Sequence, residues 1–590
     1  MKKQLFSVVL IFSINFLFNN NFHFNQAFSQ DVGSLFCWHY KEIYGGHDYA
    51  LNQSILKRNF PNNNTHWSDN LQWWENIVEE IEYSGMDYIA LLTRGNQPNA
   101  PDRGNGNPKH IPTLVDAMHK RGAANSFKLA LFDDPPNSWT GSKNWDESGG
   151  AHYGTSPPFD LANTDNWKYI WDYNLKQAIE HIPEEMRYEI DGRLVIFFWT
   201  VSDNWFNNIQ GNLSRILKYV REECQKTFGF EPYIIIQQTW LQRDNTVSTS
   251  GAFDAVHGWF SAAGGRSWSL VEWNGVKTGV VVPGFGTADD PRHLDPFMGT
   301  SDSGKMLKTG LDNTVNAGAR TTLIEGFTNA AETAAIWRSN DQGTYTFYEY
   351  HNQRLNIVRS YTRNPYPDIL KVEAEACDFN YDLTPVNSGG AYLYLGDLDI
   401  VKCYDTGGGW YVTDTEPTEW MEWRELPLLE ETTFELRYKS TAPSSVKISI
   451  DDNDLPIASL PSTSGIWSTI DIGSVSLSEN GSHTVRLTIV SGSPDINYFN
   501  RINAATVSSD VVLQADLHNN IKIYPNPATD FIRIVPNKER GEISLYSVTG
   551  ELQMRRVYET ENEIELNVSQ LKPGLYFLRI NNTSHKLIVK

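Results

Sequence analysis

Between Asp31 and Arg363 the sequence alternates short apolar runs with amphipathic stretches, a pattern that few folds accommodate. Eight runs are of strand length: Val32–Tyr40, Tyr88–Gly95, Phe127–Pro135, Arg193–Val201, Tyr233–Trp240, Phe253–Phe260, Lys277–Phe285 and Thr321–Phe327. Each is almost continuously apolar, as expected of strands covered on both faces. Between them, Trp167, Trp171, Leu175, Ala178 and Ile182 recur at helical spacing, as do Leu213, Leu217, Val220 and Cys224. Repeated strand–helix units of this kind predict a (β/α)8 TIM-like barrel over residues 30–365. A doubly wound open sheet is the alternative, but no glycine-rich nucleotide fingerprint accompanies it. The connection after the sixth run, Ser261 to Val276, is only weakly helical.

Near Lys371 the helical periodicity stops. Short alternating strands separated by Gly, Ser, Pro and Asp turns predict a β-sandwich over residues 371–507. A polar linker (508–520) leads to a small all-β domain at 521–590. The chain thus reads as multidomain: a barrel, a β-sandwich and a C-terminal all-β domain. At its start, Lys2 and Lys3 precede the apolar run LFSVVLIFSINFLF and an Ala27-Phe28-Ser29 cleavage pattern. Residues 1–29 therefore read as a secretory signal peptide, and no later stretch is long and apolar enough for a transmembrane segment. The net charge of −22 argues against nucleic acid as a partner. Among the four cysteines, Cys224 falls on a helical apolar stripe, while Cys377 and Cys403 share one domain and are open to pairing. No cysteine or histidine cluster suggests zinc.

In a barrel, chemistry sits where strands end. The first strand ends near His39, the second at Arg94 and the third at Asp133 and Asp134. Trp199 and Asp203 follow the fourth, Gln238 and Trp240 the fifth, His257 the sixth, and Glu325 and Glu332 the eighth. Carboxylates for proton transfer or nucleophilic attack, aromatic platforms, and amide or imidazole groups for hydroxyls are what a glycosidic site needs. Each residue also has a plainer reading. Asp133 and Asp134 suit a turn before two prolines, Glu332 suits a helix start, and Glu325 can pair with Arg94 or Arg320. His39, His257, Trp199 and Trp240 can be core residues, and Asp203 an ordinary loop acid.

Three resemblances sharpen this reading. The segments FKLALFDDPPNSW and LIEGFTNAAETAAIWRS are similar to domain of unknown function 5010, a group itself similar to barrel glycoside hydrolases of families 71 and 99. The latter carry paired catalytic glutamates in an Asn-Glu-Trp-x-x-Glu pattern that is absent here. The resemblance implies a hydrolase fold, without direct transfer of residue roles. The segments Val372–Glu375, Gly409-Trp410, Glu419–Trp423, Gly465–Trp467 and Asn497–Phe499 resemble a family 6 or 35 carbohydrate-binding module. That resemblance implies Trp467 and Asn497 as sugar contacts, with Tyr392 as the second aromatic. It also implies Glu373 and Glu375 as possible ligands of a structural Ca2+. Finally, Ile523–Pro527, Leu545–Gly550, Leu571–Tyr576 and Lys586–Lys590 resemble a type IX secretion sorting domain. This implies export by the type IX secretion machinery to a secreted or cell-surface location.

Together these features lead to the expectation of a secreted glycoside hydrolase acting on a polysaccharide. Glu332 would be the acid/base, Asp134 or Glu325 its partner, and Asp133 a support. His39, Arg94, Trp199, Asp203, Gln238, Trp240 and His257 would contact substrate, and no cofactor is required for catalysis. A carboxyl separation of roughly 5–5.5 Å would predict retention and roughly 6.5–9.5 Å inversion. The alternatives are a non-catalytic glycan-binding protein, or a lyase or esterase, although no G-x-S-x-G elbow favours an esterase.

Overall fold

The computed structural model describes residues 30–37, 71–98, 106–148, 158–260, 267–284, 304–329, 334–339, 348–384, 386–387, 397–405, 409–504, 522–524, 528–535, 540–547, 552–559, 564–580 and 583–590. The chain divides into two compact units, Met1–Thr506 and Val507–Lys590. The signal-peptide stretch lies outside the described residues.

The first unit is built on a sheet containing β1 (Asp31–Phe36), β2 (Tyr88–Thr93), β3 (Lys128–Asp133), β4 (Arg193–Phe198), β5 (Tyr233–Gln237), β6 (Ala255–His257), β7 (Trp268–Trp273), β8 (Val276–Val281) and β9 (Thr321–Ile324). Their order is β7-β8-β9-β1-β2-β3-β4-β5-β6. Every neighbouring pair is parallel except β7 with β8. The two ends of the sheet approach each other, β6 packing against β7 and β8, without a hydrogen-bonded ladder between them. The result is a nearly closed, barrel-like mixed sheet.

The interior explains why these runs are so apolar: β1, β2 and β5 are buried at every position. Toward the N-terminal end, the Tyr88 ring stacks on Tyr188 at 4.0 Å, and its hydroxyl meets Thr321 Oγ1 at 2.9 Å. That ring demands glycine at position 33, since a Cβ there would lie 2.5 Å from it. Outside the sheet, α1 (Leu71–Ser84) follows β1, α2 (Ile111–Arg121) follows β2, and α3 (Leu213–Phe228) follows β4. α4 (Lys305–Asp312) lies between β8 and β9, and α5 (Gln353–Arg359) follows β9.

Among the described residues, the expected repeat of strand and helix is broken between β6 and β8. The stretch after β6, anticipated as a weak helix, contains β7 instead, turned back antiparallel onto β8. Asn274 and Gly275 make the turn with φ of 47° and 80°, and Trp273 pairs with Val276 directly across it. A two-residue Asn-Gly hairpin with both residues at positive φ is a strong local preference, and it overrides the helical pattern.

The sandwich belongs to the same compact unit. One sheet runs Ile400–Lys402, Trp410–Val412, Asp495–Asn503, Glu431–Lys439 and Ser468–Ser476, with Ile369–Glu373 also paired to Asp495–Asn503. The other runs Phe379–Tyr381, Trp420–Leu428, Gly481–Ser491, Ser444–Ile450 and Asn453–Asp454, with Ala458–Leu460 on Ser444–Ile450. Alternating residues face inward, and Trp423 packs edge-on against Phe499 at 4.9 Å. The barrel-like part is tied to the sandwich by polar contacts. Tyr350 Oη donates to Glu425 at 2.6 Å, Asn352 Nδ2 to Asp378 at 2.9 Å, and Asn356 Nδ2 to the Arg424 carbonyl at 2.9 Å. Cys377 and Cys403, open to pairing on sequence grounds, are buried thiols with no disulfide between them.

The second unit has a three-stranded and a four-stranded antiparallel sheet around its own core of Ile532, Ile534, Ile543, Leu545, Leu578 and Leu587.

Candidate functional site at the strand ends

The C-terminal ends of the parallel strands gather most of the expected residues, in unequal roles. At the end of β3, Asp133 is wholly buried. Trp139 Nε1 donates to it at 2.8 Å, Asn174 Nδ2 at 3.4 Å, and Ser138 Oγ also donates to it. Burial raises its carboxyl to about 7, against the opposing pull of the Ser138 and Trp139 donors. With donors supplied by the turn after β3 and by Asn174 from a distant segment, Asp133 fixes the geometry of the rim rather than contacting a substrate.

Asp134 is the neighbour set nearer the opening. Arg94 Nη2 lies 3.3 Å from its Oδ2, Asn137 Nδ2 donates to the same oxygen at 2.6 Å, and Asn137 N donates to Oδ1 at 3.3 Å. The Asp134 backbone carbonyl also accepts from Asn137 and Ser138. The turn that Asp-Asp-Pro-Pro predicts is therefore formed, and it leaves Asp134 oriented by a cation and an amide. At the end of β9, Glu325 is 6% exposed and accepts from Asn329 Nδ2 at 3.3 Å. β1 and β2 separate it from the Asp134 strand in the sheet order. Arg320, its suggested partner, lies at the other end of β9 and bonds Asp191 at 2.5 Å.

The aromatics divide in the same way. Trp199, just past β4, is half-buried, and its Nε1 has no hydrogen-bond partner among the described residues. Its ring meets Trp259 edge-on at 5.9 Å, and Trp259 lies 5.8 Å from Phe132. Trp240, expected as a platform, is instead a core residue: it is wholly buried and donates through Nε1 to the Trp199 carbonyl at 2.6 Å. It supports Trp199 from behind. His257 is also corrected. It is wholly buried, its ring nitrogens facing the Gly258 carbonyl at 2.8 Å and the Phe198 carbonyl at 3.0 Å, so it is satisfied within the backbone. Asp203 is a surface acid paired with Arg243. Gln238 is exposed at the N-cap of the short helix Thr239–Arg243. His39 and Glu332 lie outside the described residues.

The sandwich carries a second candidate site. Trp467 is half-buried and meets Tyr411 edge-on at 5.1 Å. Lys439 Nζ lies 4.8 Å from the Trp467 ring centre and 4.3 Å from that of Tyr411, and bonds Asp495 at 3.2 Å. Tyr404 stands close by in sequence and is 87% exposed. Tyr392, expected as the second aromatic, lies outside the described residues. Tyr411 takes a place that the sequence reading missed, although the inward Trp410 beside it marks Tyr411 as outward by strand alternation. Asn497 is wholly buried, with its Nδ2 on Asp405 at 3.2 Å, and Arg437 grips the same Asp405 with two bonds of 2.7 Å.

The expected calcium ligands are placed differently from the expectation. Glu373 bonds Lys371 at 2.5 Å and Arg121 at 3.4 Å. Glu375 is 1% exposed, and among the described residues neither carboxylate oxygen has a side-chain hydrogen-bond partner. Burial, with Glu373 and Glu79 beside it, holds its carboxyl well above the usual range. An ion bound by both would have to displace two cations from Glu373, so the pair as placed does not fit a calcium site. Among the described residues, no group of three or more acidic, histidine or cysteine side chains forms a metal cluster.

These features define a glycan-related, multidomain secreted protein. Residues 28–379 match the family described as Domain of unknown function (DUF5010), and the chain belongs to that family. Residues 395–501 match the carbohydrate binding module of family 35, and residues 522–590 match the secretion system C-terminal sorting domain, which places the protein on the type IX route to the cell surface or medium. No curated protein matches the chain. Similar solved structures include the family 6 module of a marine laminarinase from Zobellia galactanivorans, at 21% identity over 23% of this chain and 98% of that one, TM-score 0.18. Another is a family 6 module of a lichenase from Cellvibrio mixtus, at 20% identity over 22% and 95%, TM-score 0.19. A native family 35 module from Clostridium thermocellum has 18% identity over 23% and 98%, TM-score 0.18. Among the described residues, no helix is long and apolar enough to cross a membrane.

Proposed function

We propose that this protein is a secreted glycoside hydrolase of polysaccharides, its sheet a variant (β/α)8 barrel related to glycoside hydrolase families 71 and 99 in which a strand replaces the sixth helix. The observation that carries this reading is Asp134. It is a carboxylate at the C-terminal end of a parallel strand, oriented by Arg94 and Asn137 and backed by the buried Asp133. Trp199 and Trp259 stand at the ends of nearby strands. Glu332, which follows β9 in the sequence, is the acid/base in this reading and Asp134 its partner carboxylate, with Glu325 the alternative partner. In this reading, the pair divides into a group that protonates the leaving oxygen and one that attacks the anomeric carbon or activates water. The sandwich holds the polymer through Trp467 and Tyr411, whose rings offer stacking surface.

The test is reducing-end release over a polysaccharide panel, with product masses. Asp134→Asn and Glu332→Gln should each lower turnover on the responsive glycan by about 10²–10⁴-fold without changing its retention by the sandwich. A wild-type protein that releases nothing from any glycan it binds would end this reading. It would favour a non-catalytic binder, for which the Arg94–Asp134 ion pair is then purely structural.

A further inference from the structure

The Arg94–Asp134 pair of the rim stands just past the β2–β3 ladder, whose last register pair is Thr93 with Asp133. Beyond that point the backbone of β2 turns to other segments. Arg94 N donates to the Gly106 carbonyl at 2.7 Å, and Gly95 N donates to Asn174 Oδ1 at 3.1 Å. Side chains carried on strands that have left their ladder keep a fixed relation when a supporting layer of hydrogen bonds holds them.

Asn174 belongs to that layer. It is wholly buried and comes from the stretch Trp171–Leu175, remote in sequence from both strands. The carboxamide that accepts from Gly95 also donates through Nδ2 to Asp133 Oδ1 at 3.4 Å. One planar group therefore spans the residue after Arg94 and the residue before Asp134. A primary amide suits this place because it carries an acceptor and donors together. Its approach is close. Leu175 N donates to the Ile170 carbonyl at 3.2 Å, which makes a wide helical turn of the kind that recurs at functional sites. The turn presses onto the end of β2, where a Cβ at position 95 would lie 1.5 Å from the Tyr173 carbonyl oxygen. Glycine there lets the turn seat, and Gln177 Nε2 extends the contact to the Asn96 carbonyl at 3.3 Å.

We infer that Asn174 is a positioning residue of the rim: its carboxamide ties the end of β2 to the end of β3 and so sets Arg94 against Asp134. It acts through the residues it bonds, Gly95 and Asp133, each the chain neighbour of one member of the pair. The consequence for turnover rests on the hydrolase reading above, whereas the tie itself does not. An amide that merely fills a buried gap would, when replaced, cost stability and leave the pair where it stands.

Crystal structures of the full secreted chain and of its Asn174→Leu variant read the tie directly. The Arg94 Nη2 to Asp134 Oδ2 separation, 3.3 Å, should open beyond about 4 Å in the variant. Asn174→Asp is the milder second variant, should Asn174→Leu not fold. It keeps the acceptor for Gly95 and loses the amide donor to Asp133, and the same opening is expected. On the responsive glycan, Asn174→Leu should lower kcat by about 10–10²-fold with KM little changed. Adding Arg94→Gln should then cost little more than Arg94→Gln alone, as for residues that act as one unit. An ion pair unmoved in both variants would overturn the inference, as would losses that multiply in the double variant. A wild-type chain without turnover would end the hydrolase reading alone, and the ion-pair separation would still decide the role of Asn174.

Discussion

At the scale of single residues, the most informative groups are acids that hold protons at neutral pH. Burial raises Asp133, Glu80 and Asp378 each to about 7. A carboxyl whose folded value lies above its unfolded value favours the folded state at low pH, and that advantage is lost as pH rises through the folded value. Each unit of difference corresponds to about 1.4 kcal/mol. Thermal stability should therefore fall between about pH 4 and about pH 7, as a melting series in matched buffers would show, and Asp133→Asn should flatten part of that slope. Glu375 belongs with these acids. Burial beside Glu373 and Glu79 holds its carboxyl above the usual range, and EDTA should leave the melting temperature unchanged. A drop on chelation, restored by calcium, would show that a metal neutralises it instead.

At the scale of elements, much of the sheet was legible in the sequence because its strands are buried on both faces and therefore near-continuously apolar. The eight runs correspond to β1–β6, β8 and β9. The hairpin of β7 and β8 was equally legible in principle: Asn274-Gly275 between Trp268–Trp273 and Val276–Val281 is a two-residue turn signal, masked by a reading that sought helices between strands. Site residues were harder. Strand ends located the rim, but nothing local distinguishes an outward Trp199 from an inward Trp240, or an oriented Asp134 from a locked Asp133. Those outcomes depend on Asn137, Ser138, Trp139 and Asn174, three of them contributed by the turn after β3 and one from a distant segment. At the opposite end of the sheet, Gly33 offers a direct test of packing. Gly33→Ala would drive a methyl into the Tyr88 ring and should destabilise the protein by about 1–3 kcal/mol in denaturant titrations, with no change at the rim in the protein that remains folded.

At the scale of the whole molecule, the sandwich and the barrel-like sheet form one compact unit, joined through Asn352–Asp378, Tyr350–Glu425 and Arg121–Glu373. Their functions should nonetheless separate. Tyr411→Ala together with Trp467→Ala is expected to reduce retention on insoluble glycan in pull-down assays. If the rim hydrolyses glycan as proposed, turnover of short soluble oligosaccharides should be unchanged. Equal losses on both substrates would show that the aromatic pair of the sandwich belongs to the same binding surface as the strand ends.

The direct seating of the sandwich on α1, α2 and α5 has a consequence for long polymers. A module on a loose tether samples many distances from its partner, whereas this one stands at a set distance and bearing. A chain held by the sandwich would meet the strand ends at a constant offset, and if the rim cleaves glycan as proposed, the lengths of the fragments would record that offset like marks on a ruler.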